Sequence, residues 1–239
     1  MSAINRLIGR RRTLEGAALP SSTLNSGLTG FWTLDEASGT RADSVGSYDF
    51  TVLTGTPGSA AGLVDNAITY DGTSSIRGAN SAGYIDGSTD WSLSFWVKFD
   101  AGSIGNGKFI TSVWGGSGRS WALEKNSSDN LVIYHSSNGS GTSGSTELTS
   151  TPTISSGTWY HVVLVHDVTA QTITGYFNGS GIGSHSGDLL ANAPYGFAIG
   201  SLGNSGSLIG AMDIMAFWQR QLTAEEITEL YGKVQNQPY

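Results

Sequence analysis

The stretch that most constrains this chain is residues 158–180, TWYHVVLVHDVTAQTITGYFNGS. Residues 159–166 are dense in β-branched and aromatic side chains, a polar interruption follows at 167–171, and residues 172–177 resume the β pattern, which predicts a hairpin. Asn178-Gly179 closes the second run with the dipeptide that most readily supplies the positive φ angles of a tight turn. Val162 and Leu164 fall on one face of the first strand, Val163 and Val165 on the other. Apolar residues on both faces require a strand covered on both sides. The remaining strands have to be built around this pair.

The rest of the pattern is that of one turn-rich β domain. Residues 91–99, WSLSFWVKF, alternate cleanly, with Leu93, Phe95, Val97 and Phe99 on one face and Ser92, Ser94, Trp96 and Lys98 on the other. That predicts a half-buried antiparallel strand. Leu28, Phe31, Trp32 and Leu34 mark an opening strand, and residues 109–114, 121–125, 131–135, 197–200 and 208–218 read as others. Residues 139–145, low in complexity and rich in Gly and Ser, belong to a loop at a surface edge. Residues 222–231 read as a short helix, with Thr223 as N-cap, Glu226 at the capping-box position, and Leu222, Ile227, Leu230 and Tyr231 as its apolar stripe. The 34 glycines would suit a disordered chain, but a 38% hydrophobic content with seven Trp supplies a substantial core. The absence of cysteine rules out disulfides and thiolate metal sites. No apolar run approaches the roughly 18 residues of a membrane span, so no membrane partner is expected.

Several of these segments share a signature. The Trp-x-His-Val hairpin with its Tyr-Phe-Asn-Gly turn resembles the centre of the laminin G-like, concanavalin A-like jelly rolls. So do the opening FWTLDEASGTRADSVG, the NAITYDG strand with Tyr70 where Phe is usual, WSLSFWVKF, FAIG, the Gly210–Asp213 spacing and the ending LTAEEITELY. The resemblance covers about residues 27–231 and implies an all-β sandwich of two antiparallel sheets with a short C-terminal helix. It divides the chain into an N-terminal extension, residues 1–26, the jelly roll, 27–231, and a tail, 232–239.

Charge is distributed unevenly. The net charge is −7, but Arg6, Arg10, Arg11 and Arg12 lie in the extension, leaving 8 Lys and Arg against 19 Asp and Glu after residue 12. An acidic body repels nucleic acid, so nucleic acid is not expected as a partner. Ile4, Leu7 and Ile8 have helical spacing ahead of the arginines, and no continuous apolar segment follows them as a signal peptide would need. With so little core of its own, this arm is expected to be ordered by a partner: a capsid or tail protein of a virion, with the jelly roll displayed outward as a decoration, and as a homo-oligomer. The alternative is a sugar-binding module of a bacterial surface or secreted protein that recognises cell-surface glycans.

A hydrolase on this fold would need paired carboxylates on one face, such as a Glu-x-Asp-x-x-Glu strand. No such strand is present; Asp213 has no partner at that spacing, and Glu225-Glu226 belongs to the helix, so a glycan-degrading enzyme is the weakest expectation. His161 and His166 have opposite parity on one strand, which excludes a shared ion, while His135 and His185 fall at strand or loop edges. The resemblance implies a structural calcium ion between the first loop and the last long strand, held by Asp35, Asp43 and Asp213 with carbonyls near Gly46; alternatively these acids cap turns. It also implies carbohydrate binding through aromatics beside the Gly-rich loops, which points to Trp114, Arg119, Trp121 and Tyr134.

Overall fold

The computed structural model describes residues 23–80, 85–148, 152–203 and 208–235. Among these residues a short 3-10 turn, Thr23–Asn25, is followed by fifteen strands and one α-helix in chain order. The first five strands are β1 (Leu28–Trp32), β2 (Thr51–Thr54), β3 (Gly58–Ala61), β4 (Asn66–Asp71) and β5 (Ser75–Asn80). Next come β6 (Trp91–Phe99), β7 (Lys108–Val113), β8 (Trp121–Lys125), β9 (Leu131–His135) and β10 (Gly144–Glu147). The chain closes with β11 (Trp159–Asp167), β12 (Thr172–Phe177), β13 (Ser180–Ser186), β14 (Gly196–Ile199), β15 (Ile209–Trp218) and helix α1 (Ala224–Gln235).

The strands form two antiparallel sheets. One runs β13-β12-β11-β6-β15-β4-β3, with β1 also paired to β15; the other runs β10-β9-β8-β7-β14-β5-β2. This is the jelly-roll sandwich that the sequence pattern implies. As expected, β11 and β12 form the hairpin, and Asn178 (φ 49) and Gly179 (φ 80) make the turn that leads into β13.

The two-faced apolar pattern of β11 has two destinations. Val162 and Leu164 enter the main core between the sheets, with Trp91, Leu93, Phe95 and Trp121. Val163 and Val165 point outward, into a second core that joins Phe31, Trp96 and Trp218 to Ile227 and Leu230 of α1. The helix covers the outer face of the eight-stranded sheet. This overturns the half-buried reading of β6: Trp96, Ser92 and Ser94 on its polar face are all buried beneath the C-terminal segment. Ser94 Oγ lies 2.8 Å from His161 Nε2, and Tyr231 stacks on Trp96, so His161 is a hydrogen-bonded structural residue.

The packed domain begins before Gly27. Leu24 is fully enclosed, and its carbonyl accepts the Trp218 Nε1–H at 2.7 Å. Thr223 and Glu226 form the expected capping box: Thr223 N donates to the Glu226 carboxylate at 3.0 Å and Glu226 N donates to Thr223 Oγ1 at 3.3 Å. The arm residues Ile4, Arg6, Leu7, Ile8, Arg10, Arg11 and Arg12 lie outside the described residues.

Candidate functional site

Alternation along the strands decides which residues reach the outer face of the seven-stranded sheet. On β8, Trp121, Leu123 and Lys125 turn inward, so Ala122 and Glu124 turn outward; on β9, Leu131 and Ile133 turn inward and Tyr134 outward. Register then sets Phe109 opposite Glu124 and Ala122 opposite Tyr134. These four residues floor a cavity of about 310 Å³, walled by Trp114, Arg119, Thr142 and Leu202 from the loops beside the strands.

Three of the four sequence-predicted sugar contacts, Trp114, Arg119 and Tyr134, therefore meet in one pocket. Trp121 does not. It is 0% exposed, and its indole N–H donates to the Ile85 carbonyl at 2.8 Å inside the main core, so it cannot stack on a ligand. Phe109, Glu124, Thr142 and Leu202 belong to the pocket and were missed by sequence reasoning. The period-2 alternation of WALEK offered a signal, because it places Trp121 and Glu124 on opposite faces.

The pocket combines ring faces with fixed polar groups. The Phe109 and Tyr134 rings lie 5.9 Å apart, tilted by 51°. The Arg119 guanidinium carbon sits 5.7 Å from the Trp114 ring centre, and Arg119 Nη1 donates to the Ser140 carbonyl at 3.0 Å. Tyr134 OH donates to Glu124 Oε2 at 2.5 Å. Burial and the neighbouring carboxylate push the Tyr134 hydroxyl up to about 12, the opposite of what a nucleophilic phenol needs. Glu124 is the one carboxylate among the residues lining this pocket. Such a lining can stack a sugar ring and hydrogen-bond its hydroxyls.

The three acids assigned to calcium separate into two environments. Asp43 Oδ1 accepts the N–H groups of Phe31, Val45 and Gly46 at 2.9–3.0 Å, and Oδ2 accepts Tyr48 N–H at 3.2 Å, so this carboxylate caps the first loop. Asp213 is fully buried at a bulge in β15, where Ile214 adopts φ 46. Its Oδ2 accepts Leu63 and Val64 N–H at 2.7 and 3.1 Å, while its Oδ1 is buried without a hydrogen-bond partner. Burial, with a smaller push from the Asp35 charge, raises the Asp213 carboxyl to about 7; burial also raises that of Asp35. Asp35 Oδ1 accepts Asn66 N–H at 3.1 Å and Asp43 is taken up by backbone donors, so of the three expected ligands the oxygen left open to a hard cation is Asp213 Oδ1. Among the described residues no cluster of three or more His, Cys, Asp or Glu forms that could hold a metal ion.

The fold and the pocket together define a concanavalin A-like jelly roll with an aromatic and charged hollow on the outside of one sheet. Residues 70–228, more than half of the chain, match the model of the concanavalin A-like lectin/glucanases superfamily, and the chain belongs to that superfamily. Among the solved structures similar in fold are the following three. Domain 4 of an extracellular arabinanase from Geobacillus stearothermophilus, solved in complex with arabinotriose, is 22% identical with a TM-score of 0.65, over 85% of this chain and 98% of that one. The binding domain of Paraclostridial Mosquitocidal Protein 1 is 19% identical, with a TM-score of 0.69, over 88% of this chain and 53% of that one. Trypanosoma rangeli sialidase in complex with the inhibitor DANA is 18% identical, with a TM-score of 0.66, over 90% of this chain and 34% of that one. This chain thus spans nearly all of the arabinanase domain, about half of the toxin domain and a third of the sialidase. No curated protein matches it by sequence.

Proposed function

We propose that the chain is a non-catalytic glycan-binding module. The observation that carries the reading is the pocket lined by Trp114, Phe109 and Tyr134 together with Arg119 and Glu124. At about 310 Å³ it lies at the lower end of ligand-site volumes, the size of a short saccharide end rather than a long cleft. A single lining carboxylate favours binding over hydrolysis, which requires two carboxyl groups roughly 5–9.5 Å apart. The arabinotriose held by the arabinanase domain and the binding role named for the toxin domain support the same reading.

Glycan-array screening of the full chain should find an oligosaccharide ligand, and calorimetry should show Arg119→Ala and Tyr134→Ala each weakening it at least about tenfold, since a few ring and charged groups lining a small pocket dominate its affinity. Unchanged affinity in both variants would place binding elsewhere on the domain.

A structural calcium at Asp213 and Asp35 is part of the same proposal, motivated by the orphaned Asp213 oxygen. Asp213→Asn separates the possibilities by sign. With calcium bound, the variant should melt lower and lose any calcium-dependent rise in melting temperature. Without an ion, removing a buried charge beside Asp35 should leave stability equal or higher by about 1 kcal/mol.

The wider role, display on a virion through residues 1–22, rests on the basic arm and adds to the binding reading. Deleting those residues should abolish attachment to a particle while folding and glycan binding persist. A deletion that keeps attachment would rule the arm out as the anchor.

A further inference from the structure

Two histidines 50 residues apart meet at the open edge of the sandwich. His185 on β13, of the eight-stranded sheet, places Nε2 2.6 Å from Nδ1 of His135 on β9, of the seven-stranded sheet; the ring centres are 4.6 Å apart. His185 Nδ1 lies 2.8 Å from Thr146 Oγ1 on β10. Both rings are buried, 8% exposed for His135 and 2% for His185. The packing leaves no room around them: a Cβ added at Gly187 would lie 2.4 Å from the His135 ring, and one at Gly144 would lie 2.8 Å from it. With Thr146, the pair ties β13, a free edge of one sheet, to the edge strand β10 and its neighbour β9 of the other.

The same residues anchor one wall of the pocket. His135 follows Tyr134, and it pairs in register with Gly144. Residues 136–143 form the loop between them, closed at its base by Ser143 N donating to the His135 carbonyl at 2.8 Å. That loop carries Thr142, which lines the pocket, and Ser140, whose carbonyl holds Arg119.

We propose that the His135–His185 pair is an acid-operated catch on the pocket: protonation of both rings parts β10 from β13, loosens the 136–143 loop and releases the ligand. This rests on the pocket being the binding site. A hydrogen bond between two ring nitrogens needs one proton and one lone pair. One extra proton can be taken up on the Thr146 side, where the hydroxyl turns to accept it. A second leaves two N–H groups facing each other at 2.6 Å, between two cations in a buried site, and the rings must separate. The charged group that acts on His135 is Asp188, on the segment after β13, and it favours the cation; His185 feels the charge of His135. Burial nevertheless holds both rings below the ordinary histidine value, His185 at about 4. Neutral rings are therefore the folded form, and closure is fully stable above about 6.5, weakening as pH falls towards 4.

Hydrogen exchange of the full chain, read by mass spectrometry at pH 7.5 and 4.5 and corrected for intrinsic rate, tests the catch without any ligand. In the wild type, residues 136–147 should lose protection on the order of tenfold at pH 4.5, while β6 and β11 keep theirs. In His135→Asn/His185→Gln, whose amides can hydrogen-bond but not titrate, the protection of 136–147 should not change with pH. Should the double variant fail to fold, His185→Gln alone serves, since its amide can still reach Thr146 and His135. A wild type with no local loss at pH 4.5, or variants that open like the wild type, overturns the proposal. Because no sugar is present, failure of the glycan reading would leave this result intact.

Discussion

Trp121→Ala should lower the free energy of unfolding by about 3–5 kcal/mol, the cost of deleting a large buried side chain whose site cannot collapse. The indole is fully enclosed, its ring centre lies 5.1 Å from that of Trp91 and 6.1 Å from that of Phe197, and its N–H is satisfied by the Ile85 carbonyl. Alanine would leave a cavity between the sheets and a carbonyl without its donor. Trp114→Ala, by contrast, empties part of the pocket wall; its indole is 9% exposed, so some stability should be lost as well, but the effect that distinguishes it should be the loss of ligand affinity. Denaturant titration of the two variants, with calorimetry on whichever ligand the array identifies, separates them. A loss below about 1 kcal/mol for Trp121→Ala would show that its indole is not a core member.

The two tryptophans also show where the sequence was legible. Period-2 patterning carried the fold: the faces of β11, the alternation in β6 and the Asn178-Gly179 turn all follow from local residue order. It was less informative where a strand is made of small polar residues. The strands β3 (GSAA), β10 (GSTE) and β13 (SGIGSHS) carry almost no β-branched or aromatic signal and form because a neighbouring edge offers unpaired backbone groups. Local pattern marks the polar face of β6 as solvent-facing because the helix that buries it lies far along the chain.

The candidate site was partly legible for the same reason. Bulky aromatics beside Gly-rich loops pointed to the region of Trp114, Arg119 and Tyr134, but choosing by residue type drew in Trp121 from the wrong face. Glu124 and Phe109 are brought to Tyr134 only by the register of β7, β8 and β9, which no single strand encodes. The His135–His185 contact depends on two sheet edges meeting, a tertiary event with no local trace. The acids expected to hold calcium divide similarly: the Asp43 turn in the first loop reads from DSVG alone, whereas the orphaned oxygen of Asp213 on β15 depends on a bulge.

Glu226→Gln should cost about 2–3 kcal/mol, because one carboxylate holds three parts of the chain together. It accepts two hydrogen bonds from the Arg220 guanidinium, each 2.7 Å, a third from Thr223 N–H and a fourth from the Thr23 hydroxyl. Arg220 in turn donates to the carbonyls of Ser26 and Thr23, at 2.7 and 3.1 Å. This cluster fixes α1 over the outer core and ties residues 23–26 to it. The pairing with Arg220, ahead of the bonds from Thr23 and Thr223, holds the Glu226 carboxyl down at about 2. Its unfolded value is near 4.5, so its share of stability is complete above about pH 4.5 and is lost as pH falls towards 2. The variant should therefore be less stable at neutral pH, and its stability should fall less steeply below pH 4.5. Part of the slope should remain, since hydrogen bonds from Thr73 and Ser74 hold Asp71 at about 2 as well. Chemical denaturation of wild type and variant at pH 7 and pH 3 checks both signs. Equal differences at the two pH values would mean that the carboxylate charge plays no part in holding α1, leaving only its capping hydrogen bonds.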